Sequence, residues 1–172
     1  MALPAPTLAP PVEDAFAVHV HHSPLTKGGH LWKEGHRRPM PPVPIGGVFI
    51  FDLRREPVAL TLEPFQFSRF HISRDSIDEL ASEQGIARPG TLREAMAERD
   101  PVLAYLAGAL LERMRYFGPE IDSLFADGVA LSFFAHISRR YAGVTQAPIR
   151  GGALASWQAK RLSDWANENL DG

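Results

Sequence analysis

Between Glu13 and Ile72 the apolar residues come in short runs broken by Gly and Pro, and after Ile72 they recur at spacings of three and four. The first pattern belongs to strands and the second to helices. In AFAVHVH, Phe16, Val18 and Val20 fall on one face and Ala17, His19 and His21 on the other, the alternation of a strand with two unlike sides. GGHLWKEGHRR reads as a strand, a turn at Glu34-Gly35 and a second strand. GVFIFDL reads as a buried strand, and VALTL and FQFSRFHI as two more. RPMPPVPIGG reads as a loop, because its prolines have no N–H to give to a ladder.

Helix signals take over at Ser73, which can cap RDSIDELASEQG, with Gly85 as the stop. TLRE at 91–94 has the form of a capping box and predicts a short helix. Asp100-Pro101 places a cap before a proline at the first helical position and opens VLAYLAGALLERM. Gly118-Pro119 repeats the device before EIDSLFADGVALSFFAHISRRYAG, which Gly143 closes. Strands first and helices afterwards predict an α+β fold, not a doubly wound βαβ sheet. The expected divisions are an Ala/Pro-rich disordered tail over 1–12, one domain over 13–147 and a linker with a further helix over 148–172. Within the domain, strands fill 13–72 and helices 73–143.

Composition narrows the function. The chain has 172 residues, 45% of them apolar, enough for one sizeable core. A formal charge of -2 leaves no basic footprint for nucleic acid. There is no cysteine, so no disulfide framework and no thiolate metal site. MALPAPTLAPP lacks the regions of a signal peptide, and no apolar run approaches the roughly 20 residues of a membrane helix. These features predict a soluble, cytoplasmic protein.

The end of the sequence is the most specific stretch. RGGALASWQAKRLSDWANENLDG resembles the junction of AraC-type transcriptional regulators, where an RGGLAPWQ linker leads into the first helix of the DNA-binding domain. EDAFAVHVHHSP, HLWKEGHRRP, FIFDLRREPVALTLEPFQFSRFHISRDSIDELASEQG, DPVLAYLAGALLERM and LFADGVALSFFAHISRRYAG resemble, in that order, the same family's N-terminal half. Together these pieces cover nearly all of 13–172. The resemblance implies a small cupin-like antiparallel β-structure followed by helices, which binds a small-molecule effector and dimerises. It implies contact with promoter DNA only through a C-terminal domain whose first helix alone is represented here.

Several constellations invite chemistry. His19, His21 and His22, with His30, Glu34 and His36, suggest metal ligands, since imidazoles at alternate strand positions can converge on one ion. The sequence departs from the cupin metal motif: no glycine stands at the usual spacing before His19, and Glu34 lies well beyond His21. The histidines are therefore expected to line a solvated strand face, with a small cupin-like metalloenzyme as the alternative function. Phe49, Phe51, Phe65, Phe67 and Phe70 belong in a β-layer core. Some could wall an effector pocket, for which Trp32, Phe49, Phe51, Phe67, Arg69 and His71 are the candidates. No serine sits on a nucleophile elbow and no paired carboxylates leave a helix surface, so no catalytic constellation and no cofactor are expected.

Residues 121–142 set one further expectation. On a helical projection Ile121, Leu124, Phe125, Val129, Leu131, Phe133, Phe134 and Ile137 spread around nearly the whole circumference. Such a helix needs cover on two sides, and a second copy can supply one of them. Leu124, Gly128, Leu131, Ala135 and Ser138 are the expected dimer contacts, their small members letting two backbones approach.

Overall fold

The structure, a computed structural model, describes residues 6–83, 91–118 and 123–142. Its elements are β1 (Ala15–His21), β2 (Gly29–Lys33), β3 (His36–Met40), β4 (Gly47–Asp52), β5 (Val58–Thr61), β6 (Phe67–Ser73), α1 (Arg74–Glu83), β7 (Ala95–Arg99), α2 (Pro101–Phe117) and α3 (Ser123–Arg140). The strands form two antiparallel sheets, β6-β1-β4-β7 and β3-β2-β5. This is the expected α+β class. The closures proposed at Gly85 and Gly143, and the segment 148–172, lie outside the described residues.

The alternation of β1 decides the layering. Phe16, Val18 and Val20 pack against Ile77 and Ala81 of α1, Leu103 and Ala107 of α2, and Phe133, Phe134 and Ile137 of α3. Burial of each large side chain contributes about 1.5–3 kcal/mol relative to exposure, so this face holds the helices on the sheet. On the other face Phe49 of β4 packs with Met40 of β3, Leu25 and Val43. Helices, four-stranded sheet and three-stranded sheet are thus stacked in three layers.

Local chemistry explains most boundaries. Glu34 and Gly35 have φ of 51° and 74°, the left-handed pair that a two-residue hairpin turn needs between β2 and β3. Strand β3 runs on through Arg38, Pro39 and Met40, where a loop was expected. It lies at a sheet edge, where a proline N–H is not missed. Ser73 caps α1, its Oγ accepting from the Ser76 N–H at 3.1 Å. Asp100 caps α2, one carboxylate oxygen accepting from the N–H groups of Val102 at 3.0 Å and Leu103 at 3.1 Å.

Residues 91–94 correct the sequence reading. They form no helix: Leu92 makes a bridge to Ala142, and the chain passes into β7. The free edge of β4 offers Ala95–Arg99 a ladder, and that tertiary pairing overrides the local capping signal. The division into strands up to 72 and helices beyond it is corrected with it. β7 carries a bulge, one extra residue against Val48–Ile50, with Ala97 at φ 56°.

Where β7 ends, Asp100 does more than cap. It is fully buried. Its second oxygen accepts from the Tyr141 hydroxyl at 2.8 Å and lies 2.9 Å from His136 Nε2 and 3.3 Å from Arg140 Nε. Burial pushes the carboxyl up, but the hydrogen bonds of His136, the Leu103 N–H and Tyr141 outweigh it and hold it below the usual range. Removing it strips a cap worth about 1–2 kcal/mol and leaves buried donors unpaired. Asp100→Ala is expected to lower the unfolding free energy in urea by about 3–4 kcal/mol, and Tyr141→Phe by about 1–2 kcal/mol. A loss under about 1 kcal/mol for Asp100→Ala would show that the carboxylate does not hold α3 to α2.

Candidate functional site

Odd-numbered residues of β1, β4 and β6 share the face turned away from the helices. Register sets Ala17 beside Phe51 and His71, His19 beside Phe49 and Arg69, and His21 beside Phe67. Five of the six expected effector contacts therefore stand on one face: Phe49, Phe51, Phe67, Arg69 and His71. Phe49 is buried, Phe51 half-buried, Phe67 and Arg69 exposed. His71 is exposed and pairs with Glu13 at 2.9 Å.

Trp32 is not brought to them. It lies beside Arg37 and Val58 on the outer face of the three-stranded sheet, in a shallow groove with Pro6 and Ala9. The Arg37 guanidinium stands 5.7 Å from its ring centre. Leu31, its neighbour, turns inward and is buried. Strand alternation sends only one of two adjacent apolar residues to the interior, and here it is the leucine.

His19 and His21 correct the expectation of a solvated face. The His21 ring lies 5.1 Å from Phe65, 5.5 Å from Phe49 and 5.9 Å from Phe67. The His19 ring lies 4.6 Å from Phe67 and 5.2 Å from Phe51. Burial, then the charge of Arg69, pushes the His19 pKa down to about 3. Burial, then His22, pushes that of His21 down to about 4. Both are neutral aromatic rings at ordinary pH, and His21 Nδ1 is buried with no hydrogen-bond partner among the described residues.

The other metal candidates scatter. His22 meets the Ser68 hydroxyl at 2.7 Å. His30 Nε2 accepts from Arg37 at 2.6 Å. Glu34 pairs with Arg55 at 3.5 Å, and His36 is exposed on β3. Among the described residues no three His, Asp or Glu side chains are grouped to hold a metal.

Beside the aromatic face, and sharing Phe51 with it, a cleft of about 200 Å³ opens between the two sheets. Leu31, Lys33 and Arg38 line it from the three-stranded sheet; Ile50, Phe51, Asp52, Pro57, Glu94, Ala95 and Met96 line the rest. Lys33 is ion-paired with Glu94. Asp52 is paired with Arg54 at 2.7 Å, whose hydrogen bonds are the largest influence holding its carboxyl low. The arrangement can enclose a small apolar body and meet a charge at its rim. Sequence reasoning singled out only Phe51 of this set. Leu31, Lys33 and Arg38 were legible as one side of a hairpin, since Leu31 faces Arg38 across it. Glu94–Met96 were hidden by the helix assigned over 91–94.

The expected dimer residues divide by exposure. Gly128 and Ala135 of α3 are exposed, whereas Leu124, Leu131 and Ser138 are half-buried. Val129, Phe133, Phe134 and Ile137 turn into the core. In comparison with known proteins, no family model, curated protein or solved structure matches this chain.

The two buried histidines make stability depend on pH in a defined sense. Their folded pKa values lie below the unfolded value near 6.5. The unfolded chain therefore takes up protons first as pH falls, and stability present above about 6.5 drains away towards pH 4. The expected slope is up to about 1.4 kcal/mol per pH unit for each histidine. His21→Phe, ring for ring, is expected to flatten it and to raise stability at neutral pH by about 1 kcal/mol. Urea titrations between pH 7 and 4.5 check this; an unchanged slope in His21→Phe contradicts it.

Proposed function

We propose that this chain is the effector-binding and dimerisation region of an AraC-type bacterial transcriptional regulator. The small-molecule effector would sit between the two sheets. The cupin-like character of the β-structure belongs to the same proposal. The ordered resemblance along 13–172 supports it, and one structural observation carries the mechanism. The cleft is lined by Glu94, Ala95 and Met96 at the start of β7. The other end of β7 leads into Asp100, which holds His136 and Tyr141 at the end of α3. The sequence after α3 is the one that resembles the linker to a DNA-binding domain. An occupant that displaces β7 would act on Asp100 and so on the helix from which that linker departs.

Regulation then follows from differential affinity: an effector that prefers one placement of α3 shifts the protein towards it. A cytoplasmic location belongs to this reading. Among the described residues no helix is long and apolar enough to cross a membrane. The exposed faces of α2 and α3 suit a homodimer. Tyr105, Tyr116 and Phe117 of α2 are 81%, 79% and 64% exposed, too much aromatic surface to ignore on one helix. Gly128 and Ala135 lie open on α3.

Two measurements test the reading. The coding sequence is expected to run on past Gly172 into two helix–turn–helix units; a stop codon there, or a continuation without them, overturns the assignment. Sedimentation equilibrium at tens of micromolar is expected to give twice the 19.0 kDa of one chain. Ala135→Glu, at an exposed position, is expected to give monomers that still fold. A wild-type monomer, or an undiminished Ala135→Glu dimer, refutes the interface.

A further inference from the structure

Of the four charged residues that line the cleft, three are ion-paired and one is not, and that one names a class of ligand. Lys33 and Glu94 neutralise one another, as do Asp52 and Arg54. Arg38 is exposed and directly across the hairpin from Leu31, and its guanidinium has no ion pair or hydrogen bond among the described residues. One guanidinium is thus left over at the rim of a space floored by Leu31, Phe51, Pro57 and Met96.

We infer that the cleft binds a small apolar monocarboxylate, its hydrocarbon body on Leu31, Phe51 and Met96 and its carboxylate on Arg38. This rests on the proposal that the space between the sheets is the sensing site. Size limits the choice. About 200 Å³ is the liquid volume of roughly seven waters at about 30 Å³ each, room for a single ring or a short branched chain with its acid group. Charge limits it further. A planar guanidinium presents paired donors that match a carboxylate in two-point geometry, and a cation would meet it with like charge. The apolar floor excludes an anion that is polar all over, since burying such a group without partners is costly. The two neutral histidines, His19 and His21, lie on the far side of Phe51 and add no charge to the site.

Phenylacetate, phenylacetamide and phenethylamine share a ring and differ in charge, and calorimetric titration of the whole chain separates them. Phenylacetate is expected to bind at least about tenfold more tightly than the amide, a difference of about 1.4 kcal/mol, with the amine not binding. Arg38→Gln is expected to erase the preference for the acid, Arg38→Lys to keep part of it, and Arg139→Gln, exposed on α3 and not among the cleft's lining residues, to leave it intact. Circular dichroism checks that each variant is folded. Equal binding of acid and amide, or an acid preference that survives Arg38→Gln, overturns the carboxylate assignment while leaving the sensing reading to the coding-sequence test. Displacement of phenylacetate by an equal concentration of inorganic phosphate overturns it too, because the floor would then select nothing. Failure of all three compounds to bind at about 10 mM overturns it outright.

Discussion

One carboxylate joins the parts of this protein that the chain keeps apart. Asp100 is fully buried between the end of β7 and the start of α2, and receives His136, Arg140 and Tyr141 from the far end of α3. Taking a charge out of water costs several kcal/mol unless its lone pairs are filled. Here two backbone N–H groups, a phenol and an imidazole fill them. Burial and hydrogen bonding therefore depend on each other: the network forms only if strand and both helices arrive together. The Tyr141 phenol is held protonated by the same neighbour, burial and the bond to Asp100 both pushing its pKa up. Arg93 then closes the corner, its N–H donating to the Tyr141 carbonyl at 2.6 Å and its guanidinium lying 5.2 Å from the Tyr141 ring centre.

The two faces of the four-stranded sheet are built on opposite terms. Towards the helices it presents Phe16, Val18, Val20 and Ile50, which interlock with helix side chains and hold no polar group. Towards the second sheet it presents imidazoles among phenylalanines, a neighbouring guanidinium and a cleft. An orphaned nitrogen such as His21 Nδ1 costs about 1–3 kcal/mol, and Ala97 at φ 56° adds backbone strain of order 1 kcal/mol. A face kept only for stability would shed both. Both features lie on the side of the sheet where the cleft is.

What the sequence makes legible is what short-range physics decides. AFAVHVH gives its strand by alternation, Glu34-Gly35 its turn by backbone freedom, and Ser73 and Asp100-Pro101 their caps by hydrogen bonds within four residues. What it conceals depends on partners far along the chain. TLRE is a sound capping box locally, yet β4 supplies the ladder that makes the following residues a strand. Leu31 and Trp32 are both apolar, and only the second sheet's position shows which turns inward. His19 and His21 look solvated because imidazole is polar, but four phenylalanines from two segments, β4 and residues 65–67, surround them. Helix α3 is apolar all round in projection, and packing sorts it: the large residues Phe133, Phe134 and Ile137 face in, and the small Gly128 and Ala135 face out.

β7 ties these observations to function. Among the described residues it is the last strand of its sheet and pairs on one side only, with β4. It is bulged at the positions nearest the cleft, and its ladder to Ile50 and Val48 is shifted there by one residue. An edge strand with an interrupted ladder is the least costly part of a sheet to displace. Its C-terminal end, however, is held firmly: Gly47 pairs with Arg99, and the Asp100 N–H donates to the Gly46 carbonyl at 3.1 Å. On the proposed reading, a strand whose ladder is interrupted beside the cleft and pinned where it meets Asp100 would couple the two. A shift at Ala95 or Met96 would then reach Asp100, because packed contacts switch between arrangements instead of deforming smoothly. The same carboxylate that makes the fold cooperative would therefore carry a signal from the cleft to α3.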